Sequence, residues 1–167
     1  MSTVTTSTYT AAHSVTFLSD RLRVLLKVLI MHYGLDPEQF TDAWHDWVDL
    51  AARTWLESCH LRSIVIEFHL SGATQASARW DFPIEYSGSG FEDMWDDRQF
   101  FAAHFAKATA PPANCTYRVL LTRSVGAPSI PGISDTAFLS TAGMTVHEAG
   151  TVIATPHLTA GARYYRK

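Results

Sequence analysis

Apolar positions along the chain fall into two helical periods followed by three alternating runs. From His13 to Tyr33, Phe17, Leu18, Leu22, Leu25, Leu26, Val28, Leu29 and Met31 cover most of the helical circumference, and Asp20, Arg21, Arg23 and Lys27 leave a narrow polar strip. That pattern predicts a largely buried central helix. Gly34 ends it, and Asp36-Pro37-Glu38 restarts a helix with a cap, a first-turn proline and acidic charge where the helix dipole favours it. In this second helix Phe40, Trp44, Trp47, Val48, Ala51, Trp55 and Leu56 recur at intervals of three and four, opposite Asp42, Asp46, Asp49 and Arg53.

Alternation then takes over. Leu61 to Leu70 places Ile64, Ile66, Phe68 and Leu70 on one face and Ser63, Val65, Glu67 and His69 on the other; Arg79 to Tyr86 groups Trp80, Phe82, Ile84 and Tyr86. The pair reads as an antiparallel hairpin with one buried face. Pro83 removes one ladder donor, so its strand is an edge or pairs where the missing N–H does no harm. After the Ser87-Gly88-Ser89-Gly90 joint a third helix is predicted from about Phe91 to Lys107, carrying Trp95, Phe101 and Phe105 beneath Glu92, Asp93, Asp96 and Asp97. Pro111-Pro112 breaks it, and Cys115 to Arg123 alternates Tyr117, Val119 and Leu121 against Thr116, Arg118 and Thr122 as a third strand. Helices layered on a three-stranded antiparallel sheet make an α+β domain, and such a sheet has edges that need cover.

The last quarter differs in kind. Between Ser124 and Lys167, 18 of 44 residues are Gly, Pro, Ser or Thr, and Arg and Lys are absent from Val125 to Ala162. This stretch is too apolar for a solvated tail and too broken by turns for a core of its own. It must lie on the preceding domain, through strands at Thr145 to Thr155 and Ala162 to Arg166. Taken alone, its composition favours a fixed extension of the sheet over a moving element.

With 167 residues, 47% hydrophobic and including five tryptophans, the chain suits one domain. Its charge of -3 and scattered basic residues give no phosphate-backbone footprint, so no specific nucleic-acid partner is expected. No apolar run is free enough of charge to span a bilayer, and the Ser/Thr-rich residues 2 to 8 lack the plan of a signal peptide. A cytoplasmic protein is the expectation, with Cys59 and Cys115 buried and reduced. No cofactor or metal is expected either. The eight histidines have no ligand spacing, the acidic group at 92 to 97 has an ordinary explanation in the helix dipole, and no phosphate loop or nucleophile elbow occurs. A binding protein is favoured over an enzyme, with a small hydrolase using histidine and the acidic cluster as the weaker alternative.

Several segments carry a family resemblance. Tyr9 to Thr16, Thr54 to Ser58, Asp81 to Tyr86, Cys115 to Arg118, Leu139 to Gly143 and Ala162 to Tyr165 are similar, in collinear order, to the bacterial HORMA domain family. The resemblance implies three helices on a small antiparallel sheet and a C-terminal safety belt, with a core at 9–123, a belt at 124–167 and a disordered tail at 1–8. It implies that a closure peptide joins the edge strand Tyr117, Arg118, Val119, Leu120, Leu121, Thr122 and Arg123 and is enclosed by the belt, with Ile130, Phe138 and Leu139 contributing. Val125 to Pro128 and Ile130 to Gly132 would be the belt's flexible leader. The tail, through Thr3, Val4, Thr5 and Thr6, would be the handle of an AAA+ remodelling ATPase that reopens the belt. The further implied partner is a cGAS/DncV-like nucleotidyltransferase of an anti-phage (CBASS) system, switched on by the closed, peptide-bound protein to make a cyclic oligonucleotide. A static subunit without switching is the alternative.

Overall fold

The computed structural model describes the backbone of residues 3–87 and 93–167, and side chains from residue 11 onward within those ranges. Helix α1 (Thr3–His32) buries Leu18, Leu22, Leu25, Leu26, Leu29 and Ile30 completely. It begins ten residues before the apolar period does, because no Gly or Pro precedes Gly34 to interrupt it. The backbone from Thr3 onward is therefore helical, where a disordered tail through residue 8 was expected. The helix closes on Gly34 at φ +73°, with the Leu35 amide donating to the Ile30 carbonyl and that of Gly34 to Met31.

The second helical segment is α2 (Glu38–Ala43), one π-helical turn (Trp44–Val48) and α3 (Asp49–Glu57). Its end repeats the closing geometry of α1 with Cys59 at φ +59° in the position glycine usually takes. That backbone turns the Cys59 side chain to solvent, so the expected buried thiol is corrected to an exposed one.

Among the described residues, six antiparallel strands form one sheet in the order β3-β5-β6-β2-β1-β4. They are β1 (Leu61–His69), β2 (Ala78–Glu85), β3 (Trp95–Asp96), β4 (Thr116–Arg123), β5 (Thr145–Ala154) and β6 (Thr159–Arg166). The sheet exceeds the expected three strands because the last quarter adds a hairpin, β5–β6, beside β2, and Trp95–Asp96 pairs outside β5. β2 is interior, and the Pro83 question resolves accordingly. Its ladder with β6 skips Phe82 and Pro83 and resumes in the same register, with Gly161 opposite the proline ring.

The predicted third helix is corrected: Trp95 and Asp96 are strand, and α4 spans only Arg98–Ala102, capped by Asp97 accepting from the Phe100 amide at 2.9 Å. An Asp in the cap position starts the helix there and leaves Trp95 outside it, 40% exposed. The core lies between this sheet and the helices. Trp80, fully buried, meets Phe101, Phe105 and Tyr164 ring to ring and donates its indole N–H to the Tyr33 hydroxyl at 3.1 Å.

Candidate functional site

β4 ends the sheet on the side away from the β5–β6 hairpin, paired to β1 along its inner edge. Its outer edge borders a cleft of about 370 Å³ walled by Trp47 and Trp55 from the helical layer, Val119 to Arg123 of β4, and Gly132 to Thr136 with Phe138 from the belt. Trp47 reaches the cleft from within the π-helical turn, while Trp44 and Val48 of the same turn are buried in the core.

The segment between β4 and β5 is irregular, yet it is fastened at successive points. The Trp55 indole donates to the Pro128 carbonyl at 2.8 Å. Arg123 lies over the Trp55 ring, 5.2 Å to the centroid, and pairs with Asp135 at 2.9 Å. Arg118 donates to the Ala137 carbonyl at 2.7 Å and to Glu67 at 2.7 Å, and the second oxygen of Glu67 accepts the Leu139 amide at 2.7 Å. Ser140 then exchanges main-chain bonds with the β1–β2 connection, donating to Thr74 and accepting from Ala76. The belt thus runs from the end of β4, past its outer edge, and across the face of the sheet opposite the helices.

Of the expected peptide-binding residues, Val119, Leu120, Leu121, Thr122, Arg123 and Phe138 line the cleft. Tyr117 does not: it is buried, its hydroxyl donating to the Asp36 carbonyl and accepting the Phe40 amide, so it ties β4 to the start of α2. Burial pushes that hydroxyl's pKa up. Arg118 and Leu139 fasten the belt, and Ile130, within the expected leader, packs against the core. The side chains of Thr3, Val4, Thr5 and Thr6 lie outside the described residues.

Trp47, Trp55 and Glu67 were missed as site residues. The tryptophans look like ordinary core at helical spacing, and Glu67 like the wet face of a half-buried strand. A second fastening joins the hairpin to the body: the Tyr165 hydroxyl donates to Asp81 at 3.0 Å, and burial, reinforced by that carboxylate, pushes its pKa up to about 12. Asp81 is held in turn by Arg79 at 2.7 Å.

Among the described residues no three His, Cys, Asp or Glu side chains could hold a metal together, and Asp96 and Asp97 serve a loose ion pair and a helix cap; Glu92 lies outside the described residues. No helix among the described residues is long and apolar enough to cross a membrane.

Comparison with known proteins agrees with this geometry. Residues 1–167 match the model of the family described as Bacterial HORMA domain 2, and the chain belongs to that family. No curated protein matches its sequence. Among solved structures, the fold is similar to a chain of the Mitotic Checkpoint Complex at 11% identity and TM-score 0.73, covering 92% of this chain and 98% of that one. It is also similar to C. elegans HTP-2 bound to the HIM-3 closure motif, at 15% identity, TM-score 0.64 and coverage of 94% and 91%. An E. coli CdnC:HORMA-deltaN complex matches at 12% identity and TM-score 0.63, covering 93% of this chain and 89% of that one.

Proposed function

We propose that the chain is a peptide-clasping signalling adaptor whose cleft takes an extended closure peptide. The observation that carries this is the juxtaposition of an outer strand edge with a fastened belt across a cleft of about 370 Å³. β4 offers a row of main-chain groups for a further strand, and Trp47, Leu121 and Phe138 offer apolar walls for its alternating side chains. The solved relatives include one bound to a closure motif and one in complex with CdnC, and by that analogy the closed protein binds and activates a cGAS/DncV-like nucleotidyltransferase in an anti-phage pathway. The adaptor has no active site of its own in this reading and works in the cytoplasm.

An AAA+ remodelling ATPase completes the cycle. The hairpin at the belt's end contributes Val152, Ile153, Leu158, Ala160, Ala162 and Tyr164 to the core, so moving it exposes a large apolar area. Such a step calls for external work, and a pull on residues 3–6 at the start of α1 would reach the same core. That burial equally favours a second reading, a static subunit whose hairpin never leaves β2. A cGAS/DncV-like nucleotidyltransferase, mixed with the full chain and a peptide selected from a random library, separates the two. The expected result is co-purification and cyclic-oligonucleotide synthesis only when the peptide is present. Equal retention and activity without peptide would favour the static subunit.

A further inference from the structure

Three consecutive belt residues take their fastening from three neighbouring strands. In the sheet register Glu67 of β1 lies between Arg118 of β4 and Arg79 of β2. Over this row of alternating charge, the Ala137 carbonyl accepts from Arg118, the Phe138 ring covers the Arg79 guanidinium at 4.2 Å, and the Leu139 amide donates to Glu67. Glu67 is 0% exposed, and its partners account for both carboxylate oxygens: Arg118 on one, the belt amide on the other.

A fully buried carboxylate is a costly way to hold a permanently covered face together. Apolar residues of similar volume usually serve such a position as well or better, since the ion pair must recover the desolvation of both charges. A charged row does suit a face that is wet at one time and covered at another. Water satisfies it when the belt is off, and the belt's main chain does so when the belt is on. Because the contacts from Arg118 and Glu67 go to Ala137 and Leu139 backbone atoms, this grip does not depend on which side chains the belt carries there.

We infer that Glu67, oriented by Arg118, is the positioning residue that catches the belt, holding residues 137 to 139 across the sheet. This deepens the clasp reading, and it rests on that reading for its purpose. Its test uses the full-length chain without any peptide, so a belt held by Glu67 in a protein that retains no peptide would overturn the clasp and leave the catch standing.

Site-resolved amide exchange on the wild type and the Glu67→Leu and Glu67→Gln variants supplies the test. A hydrogen bond to a charged group is worth a factor of roughly 10 to 100, so the Leu139 amide is expected to exchange faster by about that factor in Glu67→Leu. Glu67→Gln keeps a neutral acceptor and should fall between, while the Ile66 and Ile84 amides of the core strands stay within about threefold of wild type. Unchanged Leu139 protection in both variants would overturn the inference. So would a uniform acceleration of all three amides, or failure of both variants to fold, because either result would make Glu67 a prop of the core and not a catch.

Discussion

Truncation after Arg123 is expected to abolish the fold, not merely the belt. Residues 124–167 supply β5 and β6, and removing them strips β2 of the neighbour it pairs with between Trp80 and Glu85. They also remove the buried side chains of Val152, Ile153, Leu158, Tyr164 and Tyr165. At about 1.5 to 3 kcal/mol for each large apolar side chain, that loss is on the order of 10 kcal/mol. A typical domain is stable by only about 5 to 15 kcal/mol. Circular dichroism should therefore show no cooperative thermal transition in the truncated chain. Replacing residues 129–136 with a Gly-Ser linker, by contrast, should leave a cooperative transition, since those residues touch the core only through Ile130 and Ile133. A truncated chain that melted cooperatively would show the hairpin to be an accessory.

Trp80→Ala should be among the most destabilising single changes. The side chain is fully buried where the sheet, the α4 region and the last strand meet, touching Phe101, Phe105 and Tyr164. Truncating a buried Trp to Ala costs about 3 to 5 kcal/mol, and here the Tyr33 hydroxyl also loses its indole partner. Urea denaturation should show the midpoint falling by that free energy divided by the slope, with the slope itself little changed. Trp80→Phe keeps most of the ring contacts and should recover more than half of the loss. A loss below about 1 kcal/mol in Trp80→Ala would mean that the hairpin is not tied to the body through this residue.

Much of this architecture is legible in the residues themselves. The two apolar helical periods, the β1–β2 hairpin and β4 stand out because each has a one-sided or all-round apolar pattern that a single element can satisfy. What escaped has a common cause in long-range contact. Trp95 falls within the predicted third helix but lies in a strand, because β5, some 50 residues later, offers a ladder and Asp97 caps the helix behind it. The strands of the last quarter were expected, but not their place beside β2, where the buried positions of β6, Ala160 and Ala162, are small. Their size fits a strand packed closely under the helices.

The site divides in the same way. The β4 edge follows from alternation, and the belt from composition together with the collinear resemblance. Glu67 is unreadable as a site residue, since alternation assigns it to a solvent face and only the belt, arriving from 72 positions away, buries it. Trp47 escaped for a related reason. A π-helical turn inserts into the period that would otherwise keep Trp44, Trp47 and Val48 on one face.

The central proposal, an extended peptide enclosed between β4 and the belt, is tested most directly by hydrogen exchange on the full-length chain with and without a peptide selected for binding to it. Added protection is expected at the β4 amides from Val119 to Arg123 and in the belt from Gly132 to Leu139, with the β5–β6 hairpin unchanged. Protection confined to other surfaces, with the β4 edge and belt exchanging as they do in the free protein, would contradict it.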